Sequence, residues 1–254
     1  GAPFQPFNRS PQVRYRYQNR GWQLTATALW QLQYLSTGPN GKSEEYIKNS
    51  CIPEFYFGLD RKGNGWQVGA GVDVLSIVPR TQNVVEEKTY KVSERVTGVS
   101  GELHAKYQNK DWFIAAKTVW GTNLAHTCML GGYGVTAIDP RTGEQDYAPY
   151  HHATAWLNVV YGKKWKPGFF VGYLKNLGAN APIVGATYGT GLDVDQLFTT
   201  NWQLSYNLPH WRLGVEYTPS IAWFGTVDKA DGGRIRSDHH VTNHRAVVTM
   251  SYQF

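Results

Sequence analysis

At 254 residues the chain can form one large all-β domain or two ordinary ones, and no apolar run approaches the ~18 residues of a membrane helix. The net charge of +6 is a modest basic excess without a basic run or a recognition motif, which argues against nucleic acid as a partner. Aromatic residues reach 14%, with 10 Trp and 16 Tyr, and they recur in a fixed setting.

Residues 1–9 lack the charged n-region and apolar h-region of a secretory signal. The first strand follows: Val13, Tyr15 and Tyr17 alternate with Arg14 and Arg16. After a turn at 18–21, Trp22, Leu24, Ala26, Ala28, Trp30, Leu32 and Tyr34 hold one parity, with Gln23, Thr25, Thr27, Leu29, Gln31 and Gln33 on the other. Period two over this length predicts a strand with one apolar and one polar face. It persists for about the ~10 residues that a tilted membrane strand needs. The same parity continues through Phe55–Leu59, Trp66–Val74, Val99–Tyr107, Trp112–Trp120, Ala155–Tyr161, Phe169–Tyr173, Phe198–Tyr206 and Trp211–Tyr217. The last segment sets Ala246, Val248, Met250, Tyr252 and Phe254 against Arg245, Val247, Thr249 and Gln253.

One unit recurs along this series: aromatic, short polar turn, Trp. Tyr17 leads to Trp22, Tyr107 to Trp112 and Tyr206 to Trp211, with looser copies from Leu59 to Trp66 and from Tyr161 to Phe169. Aromatics held at one height around tight turns describe the interfacial girdle of a transmembrane β-barrel. Short turns fall near 18–21, 60–65, 108–111, 162–168 and 207–210, and long connections near 35–51, 76–95, 121–152, 175–194 and 224–240. Short periplasmic turns opposite long extracellular loops are the outer-membrane pattern. The predicted fold is therefore an all-β, transmembrane antiparallel barrel, read as one domain over residues 1–254. Its surroundings would be outer-membrane lipid, in a Gram-negative bacterium. About eleven strands can be counted, whereas single-chain bacterial barrels have an even number. With Phe254 ending at the periplasmic side, the first strand runs downward, so further N-terminal strands are expected.

Several stretches carry a resemblance. Arg9-Ser-Pro-Gln-Val-Arg-Tyr-Arg-Tyr, Ala28-Leu-Trp-Gln-Leu-Gln-Tyr, Met129-Leu-Gly-Gly-Tyr-Gly-Val, Trp156-Leu-Asn-Val-Val-Tyr-Gly-Lys-Lys and Val241-Thr-Asn-His-Arg resemble porin-like outer-membrane proteins of Bacteroidota, a group similar to the trimeric DcaP-type porins. The resemblance implies a homotrimer and a barrel of about sixteen strands, of which this chain would form the C-terminal part. It also implies a passive channel for small polar solutes.

The polar parity supplies the expected pore lining: Arg14, Arg16, Glu54, Asp73, Glu102, His104, Lys106, Lys117, Arg212, Glu216 and Arg245, with Asp60 among the acids. Basic side chains around a narrow pore lower the barrier for anions such as carboxylates. The same arginines could instead pair with Glu54, Glu102 or Glu216 and brace the wall, and both roles can hold together. The loop 121–152 could fold inward as a constriction or cover the mouth from outside. Cys51 and Cys128 both fall at the extracellular side, where a disulfide is allowed and would pin that loop to the rim.

Neither His151-His152 nor His239-His240 is a ready metal site, since adjacent strand residues point to opposite faces. No metal and no cofactor is expected. No spacing supports a catalytic grouping of His126, Asp146, Ser237 and Asp238, and no nucleotide-binding or zinc motif occurs. The reading is a porin and not an enzyme. The alternatives are a barrel enzyme working at the extracellular rim, or a structural or adhesive barrel within a larger complex.

Overall fold

In the computed structural model, which describes residues 2–254, eleven long strands follow one another through a single antiparallel sheet. They are β1 (Gln12–Asn19), β2 (Trp22–Leu29), β3 (Glu54–Lys62), β4 (Trp66–Ile77), β5 (Val96–Gln108) and β6 (Trp112–Thr122). Then come β7 (His151–Tyr161), β8 (Trp165–Gly178), β9 (Val194–Asn207), β10 (Trp211–Asp228) and β11 (Arg234–Tyr252). Each pairs only with its neighbours in sequence. Among the described residues, the two edge strands β1 and β11 have no pairing between them.

Tight turns join the strands at one end. Between β1 and β2 the two loop residues, Arg20 and Gly21, both take positive φ (45° and 81°). That geometry matches the twist of the flanking strands, which is why Gly is placed there. The turns lock the register, and the register assembles the girdle. Trp66 lies opposite Tyr107, Trp112 opposite Tyr161, Trp165 opposite Tyr206 and Trp211 opposite Tyr252. Ring centroids in the last three pairs are 4.6, 4.5 and 4.8 Å apart. Above this ring, one face carries exposed apolar side chains on every strand: Val13 is 79% exposed, Leu103 60%, Trp202 57% and Val248 82%. A continuous apolar surface of this extent is the lipid-facing band of an outer-membrane barrel.

At the other end the connections fold together. They contain the helix α1 (Glu45–Ser50), a hairpin of Gln82–Val85 with Lys88–Lys91, and a 3-10 turn at Leu124–Thr127. A three-stranded sheet is built from Gln145–Pro149, Gly131–Ile138 and Thr187–Thr190. Tyr46, Ile47 and Tyr133 from these loops bury against Leu75, Ile77 and Val96 at the strand ends. Tyr133 is fully buried, its hydroxyl donates to the Thr37 carbonyl at 2.9 Å, and its ring packs edge-on against Tyr147 at 5.4 Å. Leu75 and Ile77 share the inward parity of Asp73, so this core sits inside the mouth.

The N-terminal segment lies on the same inner face. Phe4 is buried, packs beside Phe170, and its carbonyl accepts from the Thr154 hydroxyl at 3.0 Å. The Phe7 amide donates to the Thr127 carbonyl at 2.9 Å. Phe4 lies about eight residues before Gln12, a reach of at most ~28 Å. Six strand spacings of ~4.8 Å separate β1 from β7, where the Phe4 carbonyl is held, about 29 Å along the sheet, so the strap crosses much of the inner face.

Three details differ from the sequence reading. The alternation from Trp22 stops being strand at Leu29. Beyond it, the Gln31 side chain accepts from the Ser36 amide at 2.9 Å and Trp30 turns onto the cap core. The turn after Tyr161 is tighter than expected, so Trp165 and not Phe169 is the girdle residue. The connection placed at 224–240 is a long hairpin, with β10 reaching Asp228 and β11 starting at Arg234.

Tyr133→Ala should remove the keystone of the cap while leaving the wall intact, at a local cost of about 3–5 kcal/mol. Hydrogen exchange should accelerate across Gly131–Pro149 and α1, with the amides of β5 to β8 unchanged. Uniform acceleration throughout the sheet would contradict this placement of the core.

Candidate functional site

The polar face is set by register. One row runs Gln18, Gln23, Asp60, Gly69, His104, Lys117 and Trp156 from β1 to β7. The adjacent row toward the mouth runs Arg16, Thr25, Gly58, Gly71, Glu102 and Val119. The next places Arg14, Thr27, Tyr56, Asp73 and Ser100 together. Arg212, Glu216 and Arg245 fall on the same face at the far edge, opposite Ser251, Val247 and Thr218. By register these residues share one face of the sheet, opposite the apolar band, together with Tyr56, Asn201 and Thr218.

Charge is not evenly mixed there. On β3 to β6, Asp60 and Glu102 are tied down. His104 Nε2 lies 2.9 Å from Asp60 and its Nδ1 3.7 Å from Glu102. Lys117 is ion-paired with Glu102, which also accepts from the Tyr56 hydroxyl at 2.7 Å. Gln67 donates to Asp60 at 2.6 Å. Across the face, Glu216 accepts from Asn201 at 3.1 Å. Several bases lack such partners, the arginines toward the edges and Lys106 on β5. Arg14 donates to Gln12 at 3.1 Å, and Lys106 sits 5.5 Å above the Phe113 ring. Among the described residues, Arg14, Arg16, Lys106, Arg212 and Arg245 form no ion pair. Bracing accordingly describes Lys117 and His104, while the arginines keep their field.

The loop 121–152 folds inward at its start. Leu124 and Met129 bury against Val119 on the inner face. Between this turn, the N-terminal strap and the wall lies a cavity of about 310 Å³, lined by Arg9, Arg14, Glu54, Asp73, Glu102 and Lys117 among others. His126, fully buried in the 3-10 turn, reaches Glu54 with Nε2 at 2.9 Å and the Asn123 carbonyl with Nδ1 at 3.2 Å. Burial alone would lower the His126 pKa, but the Glu54 carboxylate outweighs it and holds the pKa above the ordinary histidine value. Parity reading reached Glu54 but not its partner, because His126 arrives from a loop. The strap has no period to reveal it, and its only sequence signal is Phe4 and Phe7 set among Pro3, Pro6 and Pro11.

Cys51 and Cys128, which the sequence allowed either to bridge or to stay separate, are two free thiols in this structure. Cys51 ends α1 in a left-handed conformation and is exposed. Cys128 closes the 3-10 turn beside Ala125, Met129 and Leu130, in a different pocket. The residues weighed for catalysis are scattered: His126 faces Glu54, Asp146 is on the cap hairpin, Ser237 donates to Asp195, and Asp238 pairs with His239. His152 is fully buried and His151 is not, as opposite faces require, and His239 and His240 are exposed.

Solved structures with this fold are outer-membrane proteins. The outer membrane channel DcaP of Acinetobacter baumannii matches with a TM-score of 0.57 at 14% identity, over 96% of this chain and 62% of its own. OmpT of Vibrio cholerae matches at 0.51 and 14%, over 95% and 64%. An anion-selective porin from Comamonas acidovorans matches at 0.53 and 7%, over 95% and 59%. The chain thus spans less than two thirds of the length of these proteins. No family model and no curated protein matches it. The likeness is one of fold, and the fold is that of outer-membrane porins.

In the native protein a bulky maleimide should modify Cys51 rapidly and Cys128 slowly, and the unreduced protein should take up two labels once unfolded. A single label or none after unfolding would mean that the thiols are bonded.

Proposed function

We propose that this protein is an outer-membrane porin, a passive diffusion channel for small hydrophilic solutes with a mild preference for anions such as carboxylates. The observation that carries the preference is a segregation on the inner face: Asp60 and Glu102 are held by His104 and Lys117, whereas Arg14, Arg16, Arg212 and Arg245 form no ion pair among the described residues. Compensated acids contribute little net field, whereas free guanidinium groups raise the local anion concentration. The printed description of the Comamonas neighbour as anion-selective agrees with this reading.

The pore lining in this account is Arg14, Arg16, Glu54, Asp73, Glu102, His104, Lys106, Lys117, Arg212, Glu216 and Arg245. The eleven strands would belong to one larger, even-stranded barrel of about sixteen. The support is physical: among the described residues β1 and β11 each present an unpaired edge, and the hydrocarbon of a bilayer does not accept open sheet edges. Assembly as a homotrimer in the outer membrane of a Gram-negative bacterium, as the resemblance to DcaP-type porins implies, would pack the small outward residues Ala26, Ala28 and Ala70 against a neighbour.

Purified protein in a planar bilayer under a salt gradient should give stepwise conductance with a reversal potential of anion-selective sign. Replacing Arg14 and Arg16 by Ser should move the chloride-to-potassium permeability ratio about twofold or more toward unity. The preference should fade at ~1 M salt, where the screening length falls to ~3 Å. A silent bilayer, or a double variant with unchanged selectivity, would contradict the proposal.

A further inference from the structure

We infer that Glu54, Asp73 and His126 form a divalent transition-metal site that clips the inward-folded loop to the barrel wall. Glu54 opens β3 and Asp73 lies on β4, while His126 comes from the 3-10 turn Leu124–Thr127. One ligating atom from each lies within 4.8 Å of the other two, a spacing that a single ion with bonds of ~2.0–2.2 Å can bridge.

Three further features favour a cation there. Glu54 is 3% exposed, yet its Oε2 has no hydrogen-bond partner, and an orphaned carboxylate oxygen is costly to bury. His126 directs Nδ1 at the Asn123 carbonyl, which holds a proton on Nδ1, so that loss of the Nε2 proton would turn the Nε2 lone pair toward an ion between the carboxylates. This is how a metal-bound imidazole is held, its second nitrogen donating to a backbone carbonyl. Finally, two carboxylates meet at one buried point, and no Lys or Arg pairs with Glu54 or Asp73 among the described residues. One nitrogen and two oxygens form a donor set for zinc or manganese rather than calcium or magnesium, which prefer oxygen alone. Glu54 and Asp73 also line the cavity beneath the strap, so water can fill a fourth position. The competing occupant is a proton, with His126 as an imidazolium between the two acids.

The test is zinc titration of the whole protein in detergent after chelator treatment. Cys51→Ser and Cys128→Ser are included so that no thiol competes. One equivalent should bind per chain, and binding should slow hydrogen exchange in residues 123–130. His126→Gln and Glu54→Gln should each weaken binding at least tenfold and abolish the protection. Asp73→Asn provides a second route if either of those fails to fold. Cobalt in place of zinc should report a nitrogen–oxygen ligand field that His126→Gln removes. No stoichiometric binding, or binding that survives all three substitutions, would overturn the inference and leave the proton as the occupant. These readouts do not depend on conductance.

Discussion

Hydrocarbon offers no hydrogen bonds, so every backbone amide and carbonyl that crosses it must find a partner within the protein. An antiparallel sheet meets that demand for every strand between its two edges, and the rest of the structure follows from it. Once the strands are committed to ladders, side chains alternate between lipid and lumen, and the sequence must alternate with them. The exposed belt of Val13, Leu103, Trp202 and Val248 and the polar rows of Asp60, His104 and Lys117 are two consequences of one backbone requirement. A register slip of one residue would exchange them. The two-residue turn at Arg20-Gly21 and the cross-strand aromatic pairs at the turn end hold that register.

The inner face is organised by a second rule: charge that is buried is paired, and charge that faces water can stay free. Glu102 sits among Lys117, His104 and Tyr56, and Asp60 between His104 and Gln67. These contacts stiffen the wall where the strap and the loop press against it. Toward the sheet edges the arginines keep their charge uncompensated. The cap follows the opposite logic. Its core of Tyr46, Ile47 and Tyr133 is apolar, as in a soluble protein, and it lies on the inward side of Leu75 and Ile77. Loop segments distant in sequence therefore share one core inside the mouth.

The wall could be read from the chain because period two is a local signal. Trp112, Ile114 and Ala116 against Phe113, Ala115 and Lys117 needs no knowledge of any other strand. The residues of the polar face followed directly from that parity. What parity could not supply is contact between elements that have no shared period. His126 meets Glu54 across 72 positions, and Thr154 meets the Phe4 carbonyl across 150. The helix α1 and the three-stranded cap sheet lay hidden in connections that read only as long. Where the alternation continued without a ladder partner, at Trp30 to Tyr34, the period misled: alternation shows that a strand could form, and pairing decides whether it does.

The central claim is that the two parities of each strand face different solvents. Single cysteines placed along β6 in a Cys51→Ser, Cys128→Ser background, in native membranes, test it directly. Cysteines at Ala115 and Lys117 should react with a membrane-impermeant thiol reagent. Cysteines at Ile114 and Ala116 should resist it, and a fluorophore attached there should be quenched by brominated lipid. Equal reactivity at all four positions, or quenching without alternation, would contradict a sheet with one face in lipid and the other in water.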